Sequence, residues 1–220
     1  MSPRARYLRL RIKPVTGLEV VLPKGVPERE AHRAVEQRRA WIEKHLPRIL
    51  ERAPAGEPEV PDRVELAAVG ERYRVISNEG AADRTRLLAR GDCLHLHGGS
   101  DESRRAVLRD WLKRRARIHL ADVLAATAEE TALTYRRLSV RLQKTRWGSC
   151  STTGTISLNA KLMFLPPHLV RHVLVHELCH TVHMNHSADF WALVSRHDPD
   201  WKLSRRKTRQ LWHEVPAWTA

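Results

Sequence analysis

The stretch HELCHTVHMNH, residues 176–186, holds four histidines and one glutamate in eleven positions, and its reading decides the fold. His176, Glu177 and His180 form an HExxH pattern. On a helix, residues four apart stand one turn above each other, so both imidazoles face the same way and can share a metal. On a wheel of about 100° per residue, with His176 at zero, His180 falls near 40° and His183 near −20°. Val170, Leu174, Leu178 and Val182 fall on the opposite side, between about 120° and 240°. One face is therefore a core-packing stripe and the other a histidine face. Glu177 lies about 100° around from His176, where it can reach a water beside a metal without ligating the ion. That arrangement is the one used for zinc-assisted hydrolysis, with the carboxylate taking the proton of water.

His183 and His186 compete to be the third ligand. If the helix continued, His183 would stack in line with the other two, and three imidazoles in a row converge poorly on a tetrahedral ion. Asn185 tolerates the left-handed conformation that ends helices, so the chain can turn there and bring His186 over the metal. His186 follows His180 by six residues, the offset of the HExxHxxGxxH pattern, although His183 stands at its glycine position. The spacing favours His186 and leaves His183 as a candidate electrophile. Cys179, near −60°, reads as a small buried residue.

Upstream of this motif, Pro166-Pro167 starts the helix. LSVRLQK (138–144) and TISLNAKLMF (155–164) alternate as strands. A long helix is predicted from about Asp101 to Ala128, its stripe made by Val107, Leu108, Trp111, Leu112, Ile118 and Leu124. Further back come short strand candidates, RVELAAV, ERYRVIS, RTRLLAR and CLHLHG, read as a small antiparallel sheet. APAGEPEVPD (53–62) is a Pro/Gly-rich loop. The N-terminus reads as a hairpin, ARYLRLRIK and LEVVLP about a Pro-Val-Thr-Gly turn, followed by a helix from Pro27. The predicted class is α+β. Residues 1–99 form the hairpin, helix and small sheet. Residues 100–220 form a zincin-like half with a long helix, a short antiparallel sheet and the HExxH helix.

The 220 residues carry 39 Lys+Arg against 25 Asp+Glu, a net charge of +14, spread along the chain and not blocked. Such a surface attracts polyanions, so nucleic acid is a candidate partner. Three distant cysteines exclude a disulfide framework or a cysteine zinc knuckle. The N-terminus lacks an apolar signal stretch and no run suits a membrane span, so a cytoplasmic protein is expected.

The runs RWGSCS (146–151), GTISLNAKL (154–162), Pro166-Pro167, HELCH and NHSADFW (185–191) follow in this order. Upstream stand LRLRIKPVTGLEVVLPKG (8–25) and AWIEKHL (40–46). Together they resemble the YgjP-like zinc metallopeptidase domain, a relative of the SprT and WLM proteases, over about residues 6–215. The resemblance implies a zinc peptidase acting on peptide or protein. His176, His180 and His186 match its ligands, Glu177 its general base, and Phe190-Trp191 its following aromatic pair. The neighbouring SprT group cleaves proteins crosslinked to DNA, which a basic chain would suit. A zinc-stabilised nucleic-acid-binding module is the rival class, though a purely structural site has no need of Glu177.

Arg146, Tyr135 and His172 join His183 as candidate electrophiles for the tetrahedral intermediate. Residues 155–160 read as an edge strand that pairs with an extended substrate, placing Asn159 near the cleft. His95 and His97 alternate on one strand face without a third metal partner. The tail WKLSRRKTRQLWHEVPAW (201–218) mixes bases and aromatics, compatible with nucleic-acid contact or with an amphipathic helix capping the core.

Overall fold

The computed structural model describes residues 7–13, 17–23, 25–50, 59–78 and 84–220. The hairpin turn at 14–16 and the 53–58 part of the Pro/Gly-rich loop lie outside them. Two compact units emerge, Met1–Pro58 and Glu59–Ala220. In the first, β1 (Arg9–Lys13) and β2 (Gly17–Val21) pair antiparallel from Arg9↔Val21 to Lys13↔Gly17. Helix α1 (Glu28–Gln37) opens with Glu28 and Glu30, acids that favour a helix N-terminus, and α2 (Arg39–Leu50) packs on both strands.

The second unit starts with β3 (Arg63–Leu66), β4 (Glu71–Asn78), β5 (Arg86–Arg90) and β6 (Cys93–His97), in sheet order β3-β4-β6-β5. The sheet is mixed: β4 and β6 run parallel, where the sequence reading had every pair antiparallel. Val64, Leu66, Leu94 and Leu96 alternate inward and are essentially sealed from solvent. Against them lies α3 (Asp101–Thr131). Ser100 caps its first turn by accepting from the Ser103 N–H, and Ala132 closes it in the left-handed conformation. Leu108, Trp111, Leu112, Ala116, Leu120 and Leu124 make its buried stripe. Ile118, predicted to join that stripe, is 62% exposed, and Ala116 and Leu120 hold the core positions instead.

The site is carried by β7 (Arg137–Arg141), β8 (Gly148–Cys150), β9 (Thr155–Asn159) and α4 (Pro167–Cys179). Sheet order is β7-β9-β8, with β7 parallel and β8 antiparallel to β9. The strand predicted over 155–164 ends at Asn159. Its side chain accepts from the Lys161 N–H and starts a 3-10 turn over Ala160–Phe164. Helices α5 (Ala188–His197) and α6 (Trp201–Leu211) then pack on α4. The α+β class stands, although neither sheet of the second unit is purely antiparallel. Among the described residues, no helix is long and apolar enough to cross a membrane.

Candidate metal centre

Helix α4 sits where its two faces have opposite partners. Leu169, Val170, Leu174 and Leu178 are buried in the core beneath the sheets and α3, whereas Val182, read into the same stripe, lies past the helix end and is 55% exposed. The helix ends at Cys179, six residues before Asn185, where the sequence places the turn. The Thr181 and Val182 N–H groups donate to Leu178 O and Cys179 O, tightening the last turn. The Thr181 hydroxyl also donates to Leu178 O at 2.7 Å. Among the described residues, Ala132 is the non-glycine residue with positive φ, so the chain reverses without a left-handed Asn185. Ser187 then caps α5 by accepting from the Phe190 N–H at 3.3 Å. This short return carries His186 back over α4.

The result is a cluster of His176, His180 and His186, with one ring nitrogen of each lying within 4.8 Å of the others. Nε2 of His176 stands 3.2 Å from Nε2 of His180 and 3.3 Å from Nε2 of His186. A tetrahedral zinc with bonds of about 2.0–2.1 Å would set its nitrogens roughly 3.3–3.4 Å apart, so the spacing fits the ion. The tautomer fits as well. Nδ1 of His180 lies 3.0 Å from the His183 carbonyl, which only accepts. That nitrogen therefore carries the proton, and the Nε2 lone pair faces the cluster. Burial, reinforced by the neighbouring His180, His186, His172 and Arg205, pushes His176 down to about 3. Burial likewise lowers His180. Both rings are thus neutral over the physiological range, the state a metal requires.

Aromatic rings wall the cluster. Phe190, fully buried, stacks on His180 at 4.4 Å and meets His176 and His186 edge-on. Trp191 stacks on His186 at 5.5 Å. Glu177 is 5% exposed, its Oε2 has no hydrogen-bond partner, and burial raises its carboxyl to about 8 despite nearby Arg146. A buried carboxylate oxygen without a partner, on the residue that follows His176, fits a donor set that holds a metal and its water.

The other sequence candidates fall elsewhere. His183 contributes its backbone carbonyl, while its ring is outside the cluster. Arg146 is exposed but near enough to Glu177 to favour its charged form. Tyr135 packs against the core. His172 is buried with Nδ1 2.5 Å from Asp198 Oδ2. Asn159 is fully buried; its amide donates to Gln143 O and Arg146 O, which holds the Arg146 loop and leaves nothing to offer a substrate. Cys179 is sealed in the core, its thiol pushed up to about 12 by burial. His95 and His97 stack at 6.3 Å without a third metal-binding partner among the described residues.

Strand β9, read as an edge, is the middle strand; the edge beside α4 is β8. Asn159 N donates to Trp147 O and Ser151 N to Thr155 O, so residues 147, 149 and 151 point inward. The main-chain groups of Gly148 and Cys150 therefore point outward. Gly148 also leaves room for the acid: a Cβ there would lie 2.7 Å from Glu177 Oε1 and 2.8 Å from its Cγ. A glycine inside a strand pattern signals such close approach, and the sequence reading passed over it. The His172–Asp198 pair spans 26 positions and leaves no periodic trace.

A mixed α+β fold presenting three histidines and a buried glutamate from one helix and its return defines a metallopeptidase type of site. Residues 6–211 match the YgjP-like, metallopeptidase domain family, and the chain belongs to that family. Among solved structures, the chain is similar to the metallopeptidase zymogen of Pyrococcus abyssi abylysin at 24% identity and a TM-score of 0.38. That likeness covers 42% of this chain and 94% of the other. A comparison with curated proteins finds no match.

Proposed function

We propose that the chain is a zinc-dependent peptidase in which His176, His180 and His186 hold the ion and Glu177 is the general base. The observation that carries this is the clustering of ring nitrogens from three histidines, with the buried Glu177 between two of them in sequence keeping an Oε2 without a partner. The ion, when bound, supplies Lewis acidity that makes water a nucleophile at neutral pH and polarises the scissile carbonyl. Glu177 takes the proton from that water and returns it to the leaving amine. Gly148 and Cys150 offer an extended substrate outward main-chain donors and acceptors, fixing it along α4. His183 O and the Phe190 and Trp191 rings keep the three imidazoles in place.

The purified protein is expected to carry stoichiometric zinc and to cleave a disordered protein. A chelator should stop cleavage and added zinc restore it. Zinc-loaded protein that leaves every disordered substrate intact, with and without DNA, refutes the proposal. Within the same assay, Gly148→Ala should lower kcat/KM about 10²-fold, because its methyl displaces Glu177 by a fraction of an ångström to an ångström. Zinc content should not change. Parental kcat/KM in that variant would mean that Glu177 does not need its place beside β8.

A further inference from the structure

Next to the cluster lies a cavity of about 190 Å³ that Gly148, His176 and Glu177 share with the hydrolytic site. It runs from Glu177 and His176 back along α4 to His172 and Val173, between the start of β8 and helix α6. The Trp147 Nε1–H donates to Thr208 O at 3.1 Å and closes the wall between strand and helix. At this size the cavity is below the roughly 300–1,000 Å³ of small-molecule sites, and it suits one side chain.

Its lining carries one cation, Arg205, and one acid, Glu177. Arg205 of α6 lines it and lies 5.0 Å over the Trp191 ring. Trp191 also stacks with His186 at 5.5 Å and with Trp201 at 4.2 Å, which ties the platform under the guanidinium to the histidine cluster. Among the described residues, no carboxylate pairs with Arg205. Asp198 is taken up by His172, which lines the cavity. Of the lining residues Glu177 alone is acidic, and Arg146 already faces it. Arg205 is exposed, so an apolar side chain entering here gains nothing from it and a cationic one is repelled by it. A carboxylate can meet the guanidinium in a two-point hydrogen-bonded pair.

We propose that this cavity is a side-chain subsite flanking the scissile bond and that Arg205 selects aspartate or glutamate for it. The proposal rests on the peptidase reading for its place beside the scissile bond, but not for its ligand. Binding is therefore measured apart from cleavage, using zinc-loaded Glu177→Gln protein. The probes are short neutral peptides, each carrying a single Glu, Gln or Lys at a scanned position. A Glu peptide should bind about tenfold or more tightly than its Gln twin, a difference of about 1.4 kcal/mol. Adding Arg205→Gln should bring that ratio near one, and Arg205→Glu should make the Lys peptide the preferred ligand. Arg206→Gln, turned about 100° away on the same helix, should leave the ratio standing. The zinc-loaded parent should cut beside the acidic residue. A ratio near one in the Glu177→Gln protein with Arg205 intact overturns the subsite. So does a ratio that survives Arg205→Gln, or one that falls equally with Arg206→Gln, which would mark general attraction to a basic chain. Acid-selective binding without any cleavage keeps the subsite and removes the peptidase reading; cleavage without acid selectivity does the reverse.

Discussion

Glu177→Gln is expected to abolish measurable peptide hydrolysis, retain zinc and make the metal-free protein more stable at alkaline pH. The first effect is the loss of a positioned base, a factor of about 10²–10⁴. The stability effect has the opposite sign and follows from burial. The Glu177 carboxyl is raised to about 8, against 4.5 as its ordinary value, chiefly by desolvation. Between those values the native chain holds a proton that the unfolded chain has released. The native state is thus progressively penalised as pH rises from 4.5, and the full penalty is present above 8. At about 1.4 kcal/mol per unit it amounts to a few kcal/mol. Glutamine does not titrate, so the melting temperature of the variant should exceed that of the metal-free parent by roughly 5–10 °C at pH 9. The gap should close near pH 4, where both side chains are neutral, and narrow when zinc is present. Thermal melts at the two pH values, with and without zinc, read this directly. Loss of zinc in the variant would instead make Glu177 a ligand, and undiminished cleavage would remove it as the base.

The features legible in the sequence were those with a short period. The stripe of Val170, Leu174 and Leu178 placed α4 against the core, and the His176–His180 spacing put two imidazoles on its other face. The α+β class followed from alternating strands before and between long helical stripes. Order within the sheets was not legible, since alternation fixes which face a residue takes but not which strand it pairs with. For that reason β9 read as an edge although β8 lies outside it, and β4 with β6 read as antiparallel. Burial also had more than one solution on α3. Ile118 is the better hydrophobe, yet Ala116 and Leu120 stand on the side that meets the sheet. The return of the chain from Cys179 to His186 runs through a tightened turn at Thr181–Val182 and the Ser187 cap of α5, and the rings of Phe190 and Trp191 then pack on its imidazoles. The contacts that shape the cavity, Trp147 to Thr208, His172 to Asp198 and Arg205 over Trp191, join separate elements and become visible only when α6 is laid beside α4.

His186→Ala and His183→Ala should separate sharply in zinc affinity, although the two histidines are three residues apart. His186 places Nε2 3.3 Å from that of His176, and alanine removes one of the three converging lone pairs outright. Its zinc affinity should fall by more than the roughly 10–100-fold that outer partners of a metal site carry, and cleavage should be lost. His183 supports the cluster through its main-chain carbonyl, which accepts from Nδ1 of His180. Alanine keeps that carbonyl, so the His180 tautomer and the zinc affinity should be little changed. A change of tautomer, by contrast, would aim a proton at the ion. Competition titrations against a chromogenic chelator measure both variants on one scale. Full-strength zinc binding by His186→Ala would overturn the three-histidine assignment. A collapse in His183→Ala as deep as that of His186→Ala would mean that the His183 ring, and not its carbonyl, sustains the site.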